Sequence, residues 1–245
     1  MRLAVVSDIH GNLPALEAVA ADIRRRGVDR VLNLGDNLSG PLLPLETARF
    51  LMAEDWLTLA GNHERQILTQ GSGRWCASDE YAHSRLTDAE FQWLRSLPAL
   101  LRPFPDVVAC HGTPAHDDRY FLETVERGRI RPASPAEIED RLGNESAPLL
   151  LCGHTHTPRA IRTSRGQLIV NPGSVGLPAY EDEFPEPHVV ETGSPDARYA
   201  IAEKSNDEWI ASLISVPYIF NPMAELAKSR GRLDWERALR TGYMR

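Results

Sequence analysis

This chain of 245 residues is poor in several features that would otherwise narrow its chemistry. Its three cysteines, Cys76, Cys110 and Cys152, are odd in number and widely spaced, which excludes a disulfide framework and a cysteine-rich zinc module. No apolar run approaches the roughly 20 residues that a bilayer-spanning helix needs. Leu3–Val6 is followed at once by Ser7 and Asp8, too short a run for the apolar part of a signal peptide, so the chain is expected to begin as written. A reducing, cytoplasmic setting fits both observations. Positive charge is scarce too: acidic residues outnumber basic ones 34 to 27, a net of −7, so the molecule as a whole would repel a nucleic-acid backbone. Only two of the 27 basic residues are lysine, a bias with no direct bearing on chemistry. Repeats, low-complexity tracts and linkers are missing, and a single domain over 1–245 is expected.

What is present suffices for a sizeable core, since 42% of the residues are hydrophobic. The β-branched run "RLAVVS" at 2–7 reads as a buried strand. Asn12 can cap a helix from Leu13 to Gly27, with Leu13, Leu16, Val19, Ala20 and Ile23 on one face and Arg24–Arg26 meeting the negative end of its dipole. Further strands are predicted at 29–35 and 55–62, with a helix over "LLPLETARFLMAE" between them. This order argues for a mostly parallel sheet covered by helices. "TDAE" at 87–90 and "SPAE" at 134–137 match capping boxes. Buried-type strands at 106–112 and 147–154 precede a hairpin signal around Ser164–Gly166. Strands near 187–192, 197–203 and 208–216 make the C-terminal half partly antiparallel, and "EDEFPEP" at 181–187 reads as a loop. Helices are expected near 221–230 and 233–242, with Lys228, Arg230, Arg232, Arg237 and Arg240 as a solvated face.

Five strand-to-loop junctions carry the same kind of residue: Asp8 and His10 in "SDIHG", Asp36 in "LGDN", Asn62 and His63 in "AGNHE", His111 in "CHG", His154 and His156 in "GHTH". Residues beyond the carboxyl ends of parallel strands converge on one crevice. Of eight histidines, five lie at these junctions, four of them directly beside a glycine or asparagine; His83, His116 and His188 have no such setting and read as surface or structural. Imidazoles and carboxylates without thiolates suit borderline divalent metals such as Mn, Fe, Co, Ni or Zn. So many ligands exceed the needs of one ion and fit two, a hydrolytic arrangement.

The ordered set Asp-x-His, Gly-Asp, Gly-Asn-His, His and Gly-His-x-His resembles the calcineurin-like metallophosphoesterases over residues 5–175. "NPGS" at 171–174 resembles the compact prokaryotic branch. The resemblance implies an α/β fold of the α+β type, a mixed β-sandwich flanked by helices. It implies that Asp8, His10 and His156 hold one divalent ion, that Asn62, His111 and His154 hold the other, and that Asp36 bridges them. Manganese is the first expectation, with iron, zinc, nickel or cobalt as alternatives. His63 matches the catalytic histidine. The implied reaction is hydrolysis of a phosphomonoester or phosphodiester: a dimetal-bridging hydroxide attacks and His63 protonates the leaving alkoxide. The implied partner is a small phosphorylated substrate, nucleotides included, with neither membrane nor general nucleic-acid binding.

Two departures stand out. Glu64 follows Asn62 and His63 where the family often has aspartate, a position outside the metal shell where little loss is expected. In protein-phosphatase branches an aspartate three residues beyond the bridging one steadies the histidine. Here that position is Ser39, which disfavours a protein phosphatase and leaves the group that orients His63 unidentified. Ser7 and Ser174 read as backbone-capping residues and Cys110 and Cys152 as buried thiols, while Arg65, Asn12 and Arg119 read as solvated. Two rivals stay open. One is a non-catalytic scaffold, as the fold serves in a retromer subunit; the other is a binuclear hydrolase of an amide or an organophosphate triester.

Overall fold

The computed structural model describes residues 1–71 and 73–245. The N-terminal alternation appears as β1 (Arg2–Val6), α1 (Leu13–Arg26), β2 (Arg30–Asn33), α2 (Pro44–Ala53) and the short β3 (Leu57–Thr58). Three helices follow, α3 (Asn62–Thr69), α4 (Ala77–Arg85) and α5 (Asp88–Ser96). Next come β4 (Leu100–Phe104), β5 (Val107–Cys110), the hairpin β6 (Glu123–Glu126) and β7 (Arg129–Pro132), α6 (Pro135–Leu142) and β8 (Leu149–Leu151). β9 (Arg159–Arg162), β10 (Leu168–Asn171), β11 (Ala179–Asp182), β12 (His188–Glu191), β13 (Ala197–Ser205) and β14 (Glu208–Val216) precede the closing helices α7 (Asn221–Ser229) and α8 (Leu233–Thr241).

Local chemistry sets the helix ends. The Asn12 side chain accepts the Ala15 N–H, and Gly27 takes the left-handed backbone (φ 65°) that ends α1. Both predicted capping boxes form, Thr87 with Glu90 at α5 and Ser134 with Glu137 at α6.

The strands build two five-stranded sheets, in the orders β14-β13-β1-β2-β3 and β4-β5-β8-β10-β9. Each has a parallel centre, β1–β2–β3 in one and β5–β8–β10 in the other, with antiparallel strands added alongside. The parallel order read from the N-terminal half holds for β1–β2–β3, and the C-terminal strands β13 and β14 join them antiparallel. The sheets face each other. Leu3, Val5 and Leu32 of the first join Val107, Leu151 and Val170 of the second in one buried cluster. Alternate residues point the other way, Ala4 and Val6 against Leu16, Val19 and Ile23 of α1. Val108, Leu150 and Ile169 meet Ile138 and Leu142 of α6. Central strands buried on both faces explain why their sequences are continuous apolar runs. The result is a β-sandwich flanked by helices, whose two parallel centres send their carboxyl ends to a common edge.

Candidate metal centre

Every singled-out residue lies just past a strand or at a helix start. Asp8 and His10 follow β1, Asp36 follows β2, Asn62 and His63 open α3, His111 follows β5, and His154 and His156 follow β8. Eight described non-glycine residues have left-handed backbone, and five of them are Asp8, His10, Asp36, His154 and His156. Such backbone costs roughly 1–3 kcal/mol per residue and persists only where its surroundings impose it. Here backbone bonds between loops do so, from the Asp8 N–H to Gly35 O (2.9 Å) and from the His10 N–H to Asp36 O (3.0 Å). Glycine is also required. A Cβ at Gly61 would stand 2.2 Å from Asp36 Oδ1, and one at Gly35 (φ +93°) 2.3 Å from the Gly61 nitrogen.

The structure brings all eight predicted residues together. Asp8, His10 and His156 form one group of donor atoms and Asp36, His111 and His154 a second, each within 4.8 Å. His111 Nε2 lies 3.0 Å from Asp36 Oδ2 and 3.8 Å from Asp8 Oδ1, so the two groups adjoin. Nδ1 of His10, His111 and His156 meets a backbone carbonyl, of Ser39, Leu34 and Leu177 respectively, at 2.7–2.8 Å. A carbonyl only accepts, so each ring donates Nδ1–H and turns Nε2 into the donor groups, the orientation a metal ligand needs. His10 Nε2 and His156 Nε2 stand 3.1 Å apart. Two lone pairs at that distance repel, and a cation between them removes the repulsion. Asp8 Oδ1 and Asn62 Oδ1 are buried without a hydrogen-bond partner. Buried polar atoms are seldom left so, and both belong to the gathered set. The donor set therefore fits divalent cations.

Protonation of His10 and His154 agrees with that fit. Burial drives His10 down to about 3 and His154 to about 4, keeping both rings neutral. Burial alone would raise Asp8 and Asp36, but His156 beside the first and His111 beside the second hold both below the usual carboxylate range. Burial likewise opposes charge on His111, yet the Asp36 carboxylate raises it to about 9.

His63 stands apart from the two groups. Its Nε2 is 3.9 Å from Asp36 Oδ2, its backbone N–H donates to Asp36 Oδ1 (3.0 Å), and its ring remains about a quarter exposed. The group that orients it is Asp79, in the first turn of α4, whose Oδ1 accepts from Nδ1 at 2.8 Å. Asp36 and Asp79 hold the ring well above the usual imidazole range, against the opposing effect of burial. Ser39, at the family's usual position, offers only its carbonyl, to His10.

Glu64 is outside both donor groups, as expected, but it is not a bystander. Fully buried, it accepts backbone N–H groups of Asp36, Asn37 and Gly61, each at 2.8 Å, and so ties the β2 loop to the start of α3. Ser174 does cap backbone, donating to Asp8 O and accepting from the Leu177 N–H. The Ser7 hydroxyl has no partner, which corrects that expectation; a Cβ at Gly153 would lie 2.0 Å from it, so it fills the space between two site loops. Cys110 and Cys152 are buried, the former thiol pushed up to about 12 by burial. Arg65 forms a two-point pair with Asp117, Arg119 pairs with Asp140, and Asn12 bonds Gly176 O and Tyr218 OH. His188 is buried against Tyr120, a structural role. A cleft of about 650 Å³ opens over His10, Asp36, Asn62, His63, His154 and His156.

Comparison with known proteins agrees with this architecture. A metallophosphoesterase from Sphaerobacter thermophilus superposes with a TM-score of 0.76 at 24% identity, covering 99% of each chain. A hypothetical protein from Pyrococcus horikoshii gives 0.75 at 19%, covering 100% of this chain and 99% of the other. An uncharacterized protein of Methanocaldococcus jannaschii is 26% identical over 201 residues, 72% of this chain and 76% of that one. The model of the calcineurin-like phosphoesterase superfamily domain matches residues 1–192. The chain belongs to that superfamily.

Proposed function

We propose that this protein hydrolyses small phosphomonoesters or phosphodiesters, nucleotides among them, at a binuclear centre. Asp8, His10 and His156 would hold one divalent ion, Asn62, His111 and His154 the other, and Asp36 both. Two such cations, manganese first among the candidates, would neutralise charge building on the phosphoryl oxygens and supply a water acidic enough to deprotonate near neutral pH. The observation that carries the reading is the pair of facing Nε2 lone pairs of His10 and His156, 3.1 Å apart, inside a set whose other orphaned atoms are also ligand-type.

The remaining chemistry belongs to the chain. His63 is held by Asp79 at Nδ1, so its Nε2–H is directed to the edge of the centre, where a leaving oxygen would depart. It donates a proton to that oxygen, and bulk water returns the proton through the exposed part of the ring. No protein nucleophile is needed, in keeping with a Ser174 hydroxyl already committed to the backbone. Completeness of the donor set disfavours a scaffold with a degraded site.

The test combines metal analysis with turnover. Mass spectrometry of the manganese-loaded protein should find two ions per chain, and an aryl phosphodiester or monoester should be hydrolysed. His63→Ala should keep both ions and lose most turnover, whereas Asp36→Ala should lose the ions too. Two bound ions without turnover of any phosphoester would sink the proposal in favour of the scaffold or of another hydrolase.

A further inference from the structure

The side chains of His63, Cys76 and Asp79 form a third cluster of donor atoms within 4.8 Å, beside the two already described. It differs from them in chemistry. It contains the one thiol among the three cysteines that is exposed, whereas the proposed catalytic pair has only nitrogen and oxygen donors. Thiolate, imidazole and carboxylate together are the donor types of zinc sites, and the softness of sulfur selects zinc-like ions over manganese.

Three further details favour a bound cation. Asp79 is fully buried, yet its Oδ2 has no hydrogen-bond partner, an unsatisfied carboxylate oxygen within the cluster. Its Oδ1 is 2.8 Å from His63 Nδ1, and its backbone N–H donates to Cys76 Sγ at 3.4 Å, so three donors are held around one point. His63 and Cys76 line the cleft, which gives an ion a path from solvent. A zinc tetrahedron with bonds of 2.0–2.3 Å has edges of roughly 3.5 Å. The three donors lie within 4.8 Å of one another, and the exposed Cys76 is the member best able to draw in.

We propose that a zinc-like divalent cation, additional to the catalytic pair, binds His63, Cys76 and Asp79 and inhibits the enzyme by capturing its acid. The inhibitory part rests on His63 being that acid, as argued above. Binding replaces the Nδ1 proton of His63 and the thiol proton of Cys76 by metal bonds, and both protons leave to solvent. With Nδ1 bound to the ion, the ring keeps a single proton, on Nε2, and giving it up would leave an imidazolate. Its tie to Asp79 passes through the metal instead of through a hydrogen bond.

Cadmium reports the site without relying on activity, because a cadmium–thiolate bond absorbs in the ultraviolet and the other two cysteines are buried. Cadmium added to the full-length, manganese-loaded protein should produce that absorption, saturating at one thiolate-bound ion per chain. Cys76→Ser, which keeps a capping side chain at the start of α4, should abolish it, and Asp79→Asn should weaken it. Zinc at the same excess should lower wild-type turnover of an aryl phosphodiester by roughly 100-fold, the contribution expected of a general acid, and should leave Cys76→Ser near its own zinc-free rate. No absorption, absorption that survives Cys76→Ser, or absorption unchanged by Asp79→Asn would overturn the site. Absorption with undiminished wild-type turnover would overturn the inhibition. Should no form of the protein hydrolyse any phosphoester, the function proposed above fails, while the cadmium titration still decides the site.

Discussion

Five imidazoles gather at this centre, and what meets each Nδ1 distinguishes them. Carbonyls at His10, His111 and His156 take up Nδ1–H and turn Nε2 toward the donor groups; a carboxylate at His63 holds Nδ1 and leaves a proton on Nε2. Loss of the carboxylate in Asp79→Asn should therefore lower kcat by about 10–100-fold, and by more for substrates with poor leaving groups, because acid assistance matters most there. Equal losses across a leaving-group series would assign Asp79 a merely structural role. Titration of the metal-stripped protein gives a second prediction. His10 and His154 are lowered to about 3 and 4, so below the ordinary value of about 6.5 the unfolded chain takes up protons that the fold refuses, and stability falls with pH. His111 is raised to about 9, so its contribution is complete below about 6.5 and lost as pH rises through 9. Chelator-treated protein should thus be most stable near neutrality in a melting series from pH 4 to 10, and a monotonic trend would contradict these assignments. The eight gathered residues were legible because ligand-type side chains at strand ends form an ordered pattern. Asp79 was not, since an acid in the first turn of a helix looks the same whether it is solvated or pressed against an imidazole.

Among elements, the two β–α junctions around Glu64 show how one buried side chain registers a site. Its carboxylate satisfies three backbone N–H groups on two segments. Glu64→Ala would leave those donors buried and unpaired, at a cost of roughly 3 kcal/mol or more. It should also weaken metal binding, because Asp36 and Asn62 flank the released segments. Calorimetry and metal titration of Glu64→Ala and Glu64→Gln would check both effects, and a wild-type melting temperature with unaltered metal content would refute them. Central strands and capped helices were legible in their apolar runs and caps. Edge elements were not. β4 contains Pro103, and β6 and β7 read "ETVE" and "RIRP", charged segments of four residues with a single large apolar side chain each. Their pairing rests on a turn in which Arg127 and Gly128 both take positive φ, a pattern usually signalled by Asn-Gly. The predicted 181–187 loop is likewise shortened at its start, because β11 extends through Asp182 to pair with β12. The basic residues of the last helices, expected as a solvated face, instead find partners. Arg230 donates to the carbonyls of Pro41 and Leu42, Arg232 pairs with Asp234 and bonds Ser78, Lys228 pairs with Glu236, and Arg240 pairs with Glu225 and Glu236. Helical spacing in a sequence cannot reveal carbonyls nearly two hundred residues away.

Across the whole molecule, the matched superfamily region stops at residue 192, yet the first sheet is completed by β13 and β14, with β13 paired to β1 over Arg2–Val5. We propose that residues 1–245 form one cooperative unit. A chain ending at residue 192 would expose one edge of β1 and the inner-facing Leu3 and Val5, and it should fail to fold as a soluble monomer. The closing helices act on the site itself. Met223, Ala224, Trp235 and Leu239 pack on Leu42, Leu177 and Ala179. Trp235 stands edge-on to His10 with ring centroids 6.1 Å apart, and it is so close to Gly40 that a Cβ there would lie 2.7 Å from the indole. The loop after β2 and the Leu177 carbonyl that orients His156 are thus held from outside by α7 and α8. A chain ending at Val216 keeps both sheets and loses this support, together with the hydrogen bonds of Tyr218 to Asn12, of Arg230 to the Pro41 and Leu42 carbonyls and of Arg232 to Ser78. It should fold with a lowered melting temperature and bind manganese about 10–100-fold more weakly, the range seen when groups that orient metal ligands are removed. Manganese titration followed calorimetrically measures this directly. If the shortened chain bound two ions with full-length affinity, the helices would be packing alone, and the site would owe its geometry to the two sheets.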